Sequence, residues 1–196
     1  GWLSNVLHGQ SSLFYSAAKG LGGGMFTLFA YYLSSPFNVL AFFFSPEQTP
    51  ELIVVLTLLK IPTCAITCAV FLTGRFADHI NAIPDHLVIV LASVSYALCG
   101  CIGDYSSNLM WIDGYYMLPI VALGVYRLVS QRKVGLLFGS VVCSVLFNWY
   151  TAYMNCLFAI LYFAFELMRR NAWSLRVNKK ELVRICTRFA CVMALA

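Results

Sequence analysis

Charged residues are scarce in this chain of 196 residues, because Asp, Glu, Lys and Arg together make up only 11% of it. A soluble domain carries about 25% charged residues. Hydrophobic residues reach 61% of the chain, and its mean hydropathy is +0.79. This composition excludes an ordinary soluble domain and predicts an integral membrane protein.

The chain also lacks the C-x-x-C spacing of zinc and redox sites, although it contains eight cysteines. The two closest, Cys99 and Cys101, are not spaced as C-x-x-C. Most of the others lie in apolar runs, where a thiol behaves as a small hydrophobe. We therefore predict no metal site and no cofactor, and the sequence leaves a requirement for a divalent metal open.

The chain has no initiator methionine and no signal-peptide pattern at Gly1, and it ends at Ala196 within an apolar run. We expect it to be a piece of a longer polytopic protein whose first span lies before Gly1.

The apolar runs predict an all-α, polytopic helical membrane protein, with residues 1–196 forming part of one multi-span domain. A membrane-spanning helix needs about 20 apolar residues. Spans are predicted near residues 52–73, 87–102, 112–129, 134–148 and 150–168, and a last, truncated span begins near residue 182. Residues 1–50 are predicted to form an outer loop with short interfacial helices.

The basic residues orient these spans, because Lys and Arg concentrate in cytoplasmic loops. Arg127, Arg132 and Lys133 follow the third span, and a second basic group lies within residues 169–180. Both groups are predicted inside, which places residues 103–113 and the stretch "NWYTAYMN" outside. Since topology accounts for the net charge of +5, no nucleic-acid partner is predicted.

One apolar segment, residues 25–44, has both its ends outside under this topology. Pro36 interrupts the segment, because proline lacks an amide donor and disfavours a helical conformation in the residue before it. Two short helices that lie in or dip into the outer leaflet are favoured. The alternative is an ordinary kinked span, with the topology upstream shifted accordingly.

Two charged residues are the clearest functional candidates. Lys60 lies near the centre of the first span, where a lysine costs about 2.5–3.5 kcal/mol and needs a partner. That partner is either a bound phosphate or a carboxylate in an internal cavity, or else a purely structural buried acid or carbonyl groups freed by Pro62. Asp113 is predicted either to cap the start of a helix or to face an outer cavity, where it would bind a hydroxyl or act as a base.

Several stretches of the chain carry a family resemblance: "SLFYSAAKGLGGG", "AYYLSSPFN", "NLMWIDGYYMLPIVALGVYRLV" and "NWYTAYMNCLFAILYF". In this order they resemble the YfhO family of bacterial membrane proteins, over nearly the whole chain. That family is similar to the GT-C glycosyltransferases, so the resemblance implies a GT-C-like fold. The chain departs from the family's pattern at Trp149, where a tyrosine is expected.

The resemblance implies transfer of a sugar from a polyprenyl-phosphate donor to a cell-envelope polymer such as lipoteichoic acid. The reaction would take place at the outer face of the bacterial cytoplasmic membrane, with the lipid-linked sugar, the polymer and membrane lipid as partners. The catalytic base is implied to be an Asp in a D-x-x-x-Q-Y motif, which we expect upstream of Gly1. The catalytic residue is therefore unknown within this chain.

By position, the resemblance also implies substrate binding by a set of polar and aromatic residues. These residues are Asp113, Asn108, Trp111, Lys60, Tyr31, Tyr32, Asn148, Tyr150 and Tyr153.

A lipid or polymer transporter is the alternative, because it too would contain an intramembrane lysine and broken helices. Inverted repeats and functional polar groups on both faces would favour transport, and no internal repeat is visible in the sequence. A purely structural membrane subunit is a third interpretation, which leaves Lys60 and the polar outer segments without a role.

Overall fold

The computed structural model describes residues 15–16, 23–24, 34–76, 83–104, 108–170 and 179–196. Two strands of two residues each, β1 (Tyr15–Ser16) and β2 (Gly23–Gly24), form an antiparallel pair. Two 3₁₀ helices, Pro36–Phe43 and Pro46–Gln48, precede the first α-helix. The α-helices are α1 (Thr49–Phe76), α2 (Ile83–Ala97), α3 (Gly100–Asp104), α4 (Leu109–Gln131), α5 (Gly135–Phe147), α6 (Trp149–Arg170) and α7 (Lys179–Leu195).

The helices that dominate the described residues are long and apolar. Helices α1, α4 and α6 contain 28, 23 and 22 residues, and α2 with α3 forms a fourth apolar unit over Asp85–Asp104. Each of these four is long and apolar enough to cross a hydrocarbon core of about 30 Å. Helix α5, with 13 residues, is shorter and also apolar. The prediction of an all-α polytopic membrane protein is confirmed.

Helices α1 and α4 run side by side in the same direction. Lys60 and Asp113 meet in their first halves. Further along both helices, Gly74 lies against the side chain of Leu123. The two helices therefore begin at one end of the bundle and finish at the other.

Helix α5 runs in the opposite direction, and α6 returns parallel to α4. Leu137, near the start of α5, lies so close to Gly124 of α4 that a Cβ at Gly124 would come within 2.7 Å of the Leu137 Cα. At the other end, the side chain of Asn148 reaches the carbonyl oxygen of Met110. The chain reverses at Asn148, whose extended backbone separates α5 from α6. Small residues at such contacts let membrane helices approach closely.

Helix α4 lies at the centre of the bundle. Within its most apolar part 61% of the residues are buried, compared with 17% to 28% for the other three candidate spans. Its second half forms one core with α5, α6 and α7, which includes Val125, Leu137, Phe163 and Phe189. Apolar side chains on α1, α2 and α6 remain exposed on the outside of the bundle, as contact with lipid requires.

Helix α4 begins earlier than the predicted start at residue 112. Its first residue is Leu109, and Asn108 occupies the N-cap position without a side-chain hydrogen bond. Asp113 therefore lies in the second turn, and the prediction that its carboxylate caps this helix is wrong. The apolar residues 109–112 continue the helix upstream, and the carboxylate pairs with Lys60 instead.

The structure describes only residues 34–44 of the apolar segment 25–44, which the sequence predicts to lie in or dip into the membrane. Its 3₁₀ helix starts at Pro36, since the ring presets the backbone for the first helical position. The ring of Phe37 packs edge-on against Tyr116 of α4, with 5.8 Å between centroids. This segment therefore rests on the start of α4. Residues 25–33, and the predicted substrate-binding residues Tyr31 and Tyr32 among them, lie outside the described residues.

Charged side chains are unevenly divided between the two ends of the bundle. We call the end where α1, α4 and α6 start the acidic end, since Glu47, Glu51 and Asp104 lie there. We call the opposite end the basic end, and its described cations are Arg75, Arg127, Arg132, Lys133, Arg169, Arg170, Lys180, Arg184 and Arg188. The basic end is the one that the sequence predicts to face the cytoplasm.

A buried carboxylate ties α1 to α6 at the basic end. Glu166 is only 1% exposed, and its Oε1 lies 2.8 Å from an Nη of Arg75. The Tyr162 hydroxyl donates to the same oxygen, and Arg169 Nε donates to Oε2, each at 2.9 Å. The finishing ends of these parallel helices are thus joined through one fully paired acid.

Candidate functional site

A buried ion pair joins α1 to α4 towards the acidic end. The ammonium of Lys60 lies 2.8 Å from Oδ1 of Asp113, and each side chain is only 1% exposed. The same ammonium donates a hydrogen bond to the carbonyl oxygen of Leu109 at 2.9 Å. Such compensation is needed because an unpaired charge in a membrane interior is costly. Of the partners considered for Lys60, the structure contains the buried acid.

Two serines lie next to the ion pair in the chain segment before Pro36, and one of them, Ser35, contacts it directly. The hydroxyl of Ser35 donates to Oδ1 of Asp113 at 3.0 Å, and that of Ser34 donates to the carbonyl oxygen of Phe147 at 2.9 Å. Ser35 is itself buried. The turn before Pro36 is therefore fixed by polar contacts to the start of α4 and to the end of α5.

Two buried oxygen atoms beside the ion pair have unused hydrogen-bonding capacity. Oδ2 of Asp113 and the hydroxyl of Tyr116 are close neighbours, and neither has a hydrogen-bond partner within 3.5 Å among the described residues. A buried polar atom without a partner costs about 1–3 kcal/mol. A water molecule or a ligand hydroxyl would therefore be stabilised at this position.

A cavity of about 380 Å³ lies between α4 and α6 at the acidic end. Its walls are mostly aromatic and apolar, with two polar side chains among them. The lining residues are Trp111, Gly114, Tyr115, Leu118, Tyr150, Thr151, Met154, Asn155 and Phe158. The rings of Trp111 and Tyr150 are stacked, with 6.1 Å between centroids and 28° between planes. Such a wall offers flat apolar faces with polar groups at their edges.

The cavity and the ion pair lie on opposite faces of α4. An α-helix advances by about 100° per residue, so Trp111, Gly114 and Leu118 share one face. Leu109 and Asp113 lie on the other face, towards α1. Helix α4 therefore separates the aromatic cavity from the buried charges, and neither Lys60 nor Asp113 lines the cavity.

Two asparagines hold the start of α6 against α4. The fully buried Asn148 donates from Nδ2 to Met110 O at 3.1 Å, and its Oδ1 accepts the amide of Thr151 at 3.0 Å. Asn155 donates from Nδ2 to Gly114 O and to the Ser144 hydroxyl, each at 3.1 Å. Both asparagines therefore join the start of α6 to α4. Asn155 also lines the cavity, whereas Asn148 does not.

The structure therefore separates the predicted substrate-binding residues. Trp111 and Tyr150 line one cavity, although they come from helices far apart in the sequence. Asn108 is half-buried at the start of α4, outside that lining. The side chain of Tyr153 is 58% exposed and points away from the bundle core.

Sequence reasoning missed several residues of this region, among them Ser35, Gly114 and Asn155. Ser35 stands in the stretch "SSPFN", in which the proline is the stronger local signal. Gly114 directly follows Asp113, and a Cβ there would collide with Thr151. Asn155 follows Asn148 by about two helical turns, and two asparagines at this spacing beside apolar runs were an available signal.

Metal ligation has no support among the described residues, where no three His, Cys, Asp or Glu side chains converge. The polar groups at the acidic end are instead hydroxyls, amides and one ion-paired carboxylate. Binding there would rely on ring faces and hydrogen bonds.

Comparison with known proteins yields one match. The family model described as "Bacterial membrane protein YfhO" matches residues 2–196. No curated protein and no solved structure matches the chain.

Proposed function

Because the chain belongs to the YfhO family of bacterial membrane proteins, we propose that it contributes the sugar-binding part of a GT-C-like membrane glycosyltransferase. The enzyme would move a sugar from a polyprenyl-phosphate donor to a cell-envelope polymer such as lipoteichoic acid. We propose the outer face of the cytoplasmic membrane as the place of this reaction, because the cavity lies between the first turns of α4 and α6, at the acidic end.

The observation that carries this proposal is the aromatic cavity between α4 and α6. Its volume of about 380 Å³ suits one sugar ring with part of its carrier. Where they line the cavity, the rings of Trp111 and Tyr150 offer apolar contact to the C–H face of a sugar. Asn155 and Thr151 supply hydrogen-bonding groups at the same cavity. A lipid-linked sugar combines these two kinds of surface.

The ion pair has a positioning role in this proposal. Lys60 and Asp113 neutralise each other behind α4, so they are not the groups that compensate the charge of a leaving phosphate. They hold the first turns of α4 in place, together with Ser35. The cavity wall formed by Trp111 and Gly114 belongs to the same turns.

The proposed chemistry is displacement at the anomeric carbon. A carboxylate removes the proton of the acceptor hydroxyl, and the hydroxyl oxygen attacks that carbon. The bond between the carbon and the phosphate oxygen breaks, and the polyprenyl phosphate leaves with the electron pair. The family resemblance implies that this carboxylate is the Asp of a D-x-x-x-Q-Y motif, so the described residues would serve to bind and orient the sugar.

The test compares two tryptophans in the full-length protein. Trp111→Leu removes a ring from the cavity wall. Trp149→Leu removes a half-exposed ring that packs edge-on against Tyr150 and does not itself line the cavity. We expect kcat/KM for sugar transfer from a polyprenyl-phosphate donor to fall about tenfold for Trp111→Leu, which corresponds to about 1.4 kcal/mol. Trp149→Leu should stay within about twofold of the wild type.

Equal activity of both variants and the wild type would remove the cavity from the reaction. Movement of the lipid-linked sugar across the membrane without any transfer would instead support the transporter alternative. Both variants are first checked for an unchanged thermal midpoint, so that a loss of activity reports on the cavity.

A further inference from the structure

A second cavity, lined by charged side chains, lies at the basic end of the bundle, away from the aromatic cavity. It has a volume of about 450 Å³ and is lined by Arg132, Lys180, Glu181, Arg184 and Arg188. Four cationic side chains and one carboxylate give this lining a net charge of three positive. The cavity lies where the α4–α5 connection meets the start of α7.

The single carboxylate of the cavity is already engaged. Glu181 pairs with Arg132, and an Nη of Arg170 lies 3.3 Å from the same oxygen. Arg184 has no carboxylate within 4.0 Å among the described residues. The cavity therefore holds more positive charge than its own acid can neutralise.

Arg132 has a donor that the described residues leave unused. Its Nη1 is buried and has no hydrogen-bond acceptor among them. Burial lowers the pKa of Arg132, and the nearby charges of Arg170, Arg188 and Arg184 lower it further. An anion bound in the cavity would accept this hydrogen bond and relieve the mutual repulsion of the arginines.

An apolar groove continues from this basic cavity along α5 and α7. It has a volume of about 430 Å³ and shares Arg184 and Arg188 with the cavity. Beyond these arginines its walls include Val134, Phe138 and Leu195. The combined site is therefore cationic at the end of the bundle and apolar towards the middle of the bilayer.

We infer that this combined site binds one anionic phospholipid, with its phosphate among Arg132, Arg184 and Arg188 and an acyl chain in the groove. Arginine forms charge-assisted, often bidentate hydrogen bonds with phosphate. Basic pockets between membrane helices on the cytoplasmic side are suited to acidic headgroups. A soluble phosphate compound would use the cations and leave the groove empty, so the groove selects a lipid.

The first test measures binding of phosphatidylglycerol with a fluorescent acyl chain to the full-length protein in neutral detergent. The same label on phosphatidylcholine gives the reference for an uncharged headgroup. We expect phosphatidylglycerol to bind at least tenfold more tightly than phosphatidylcholine. The double variant Arg184→Gln/Arg188→Gln should lose this preference, because two of the cations shared by cavity and groove are removed.

Lys133→Gln is the matched control. Lys133 is an exposed cation at the same end, directly next to Arg132 in the chain, and it does not line the cavity. Its loss should change the affinity for phosphatidylglycerol by less than twofold. Equal losses in the control and double variants, or equal wild-type affinities for the two lipids, would overturn the inference. Unchanged thermal midpoints establish that the variants fold.

The second test separates a lipid from a soluble phosphate. Cys191 lines the groove and not the basic cavity, so Cys191→Trp should fill the path of the acyl chain. We expect this variant to bind phosphatidylglycerol at least fivefold more weakly, and millimolar glycerol 1-phosphate to displace little of the lipid from the wild type. Full displacement by glycerol 1-phosphate, with no effect of Cys191→Trp, would assign the cavity to a soluble anion and overturn the lipid.

Discussion

At the residue scale, the ion pair explains how the chain tolerates a lysine inside a membrane helix. Lys60 has both a carboxylate and a carbonyl oxygen within hydrogen-bonding distance. Removing one member of a buried pair leaves the other charge uncompensated, and this costs more than the pair contributes as a whole. The two side chains should therefore behave as one unit when they are mutated.

We predict that Lys60→Met destabilises the protein by about 3–5 kcal/mol, because it leaves the buried carboxylate of Asp113 without its cation. The double variant Lys60→Met/Asp113→Asn should recover at least half of this loss, since no buried charge remains. The measurement is thermal unfolding of the full-length protein in detergent. Lys133→Met, an exposed change of the same kind, should have little effect.

Strict additivity of the two single changes would contradict this coupling. A double-mutant cycle isolates the interaction only when the single variants make no new contacts. Asp113→Asn meets this condition well, because the amide oxygen can still accept the hydrogen bond from Ser35.

At the element scale, two opposite faces of α4 carry polar or cavity-lining residues, and α4 also approaches α6 very closely at Gly114. One face carries the ion pair, and the other carries the wall of the aromatic cavity. Gly114 makes this possible, because a side chain there would collide with Thr151 at the start of α6. The distance between the two helices, and with it the shape of the cavity, depends on this glycine.

We predict that Gly114→Ala lowers stability by about 1–3 kcal/mol, the usual cost of forcing an extra carbon into a packed contact. It should also reduce sugar transfer more than its stability loss explains, because α4 and α6 would separate at the cavity. The measurements are thermal unfolding and kcat/KM of the same preparation.

The matched control for this variant is Gly139→Ala in α5. A Cβ at Gly139 meets no atom within 4 Å, so the change should be neutral, or stabilising by up to about 1 kcal/mol. If both alanine variants behaved alike, the contact between Gly114 and Thr151 would not control the cavity.

At the scale of the whole molecule, the directions of the helices and the positions of the basic residues support the same orientation in the membrane. Helices α1, α4 and α6 run in one direction and α5 runs in the other, and apart from Lys60 the described Lys and Arg side chains lie at the basic end. Since Lys and Arg concentrate on the cytoplasmic side of membrane proteins, we propose that the basic end faces the cytoplasm and that the aromatic cavity lies towards the outside.

This orientation is tested by labelling in intact bacteria. Single cysteines are introduced into a full-length background whose native cysteines are replaced, at Glu47→Cys for the acidic end and Lys133→Cys for the basic end. We predict that a membrane-impermeant maleimide labels the first in intact cells. The second should be labelled only after the membrane is permeabilised. The opposite pattern would put the aromatic cavity on the cytoplasmic side and contradict the proposed site of sugar transfer.

The fold class was predictable because hydrophobicity and length act locally along the chain. An apolar run of about 20 residues must form a helix in a bilayer, since its amides and carbonyls have no water to bind. The reversal at Asn148 was equally visible, as polar residues interrupt an apolar run too long for one span. The start of α4 was placed three residues late, because residues 109–111 are apolar like Ile112, so composition alone does not mark the first helical residue among them.

The sequence by itself determined that this chain is helical and suited to a membrane, that Lys60 needs a partner, and which residue types collect at the acidic end. These properties depend on composition and spacing. Only the tertiary structure decided that the partner is Asp113, that Trp111 meets Tyr150, and that Arg132 meets Arg184 and Arg188. Such pairings depend on which helix faces meet, and a single glycine at position 114 sets how closely two of those faces approach.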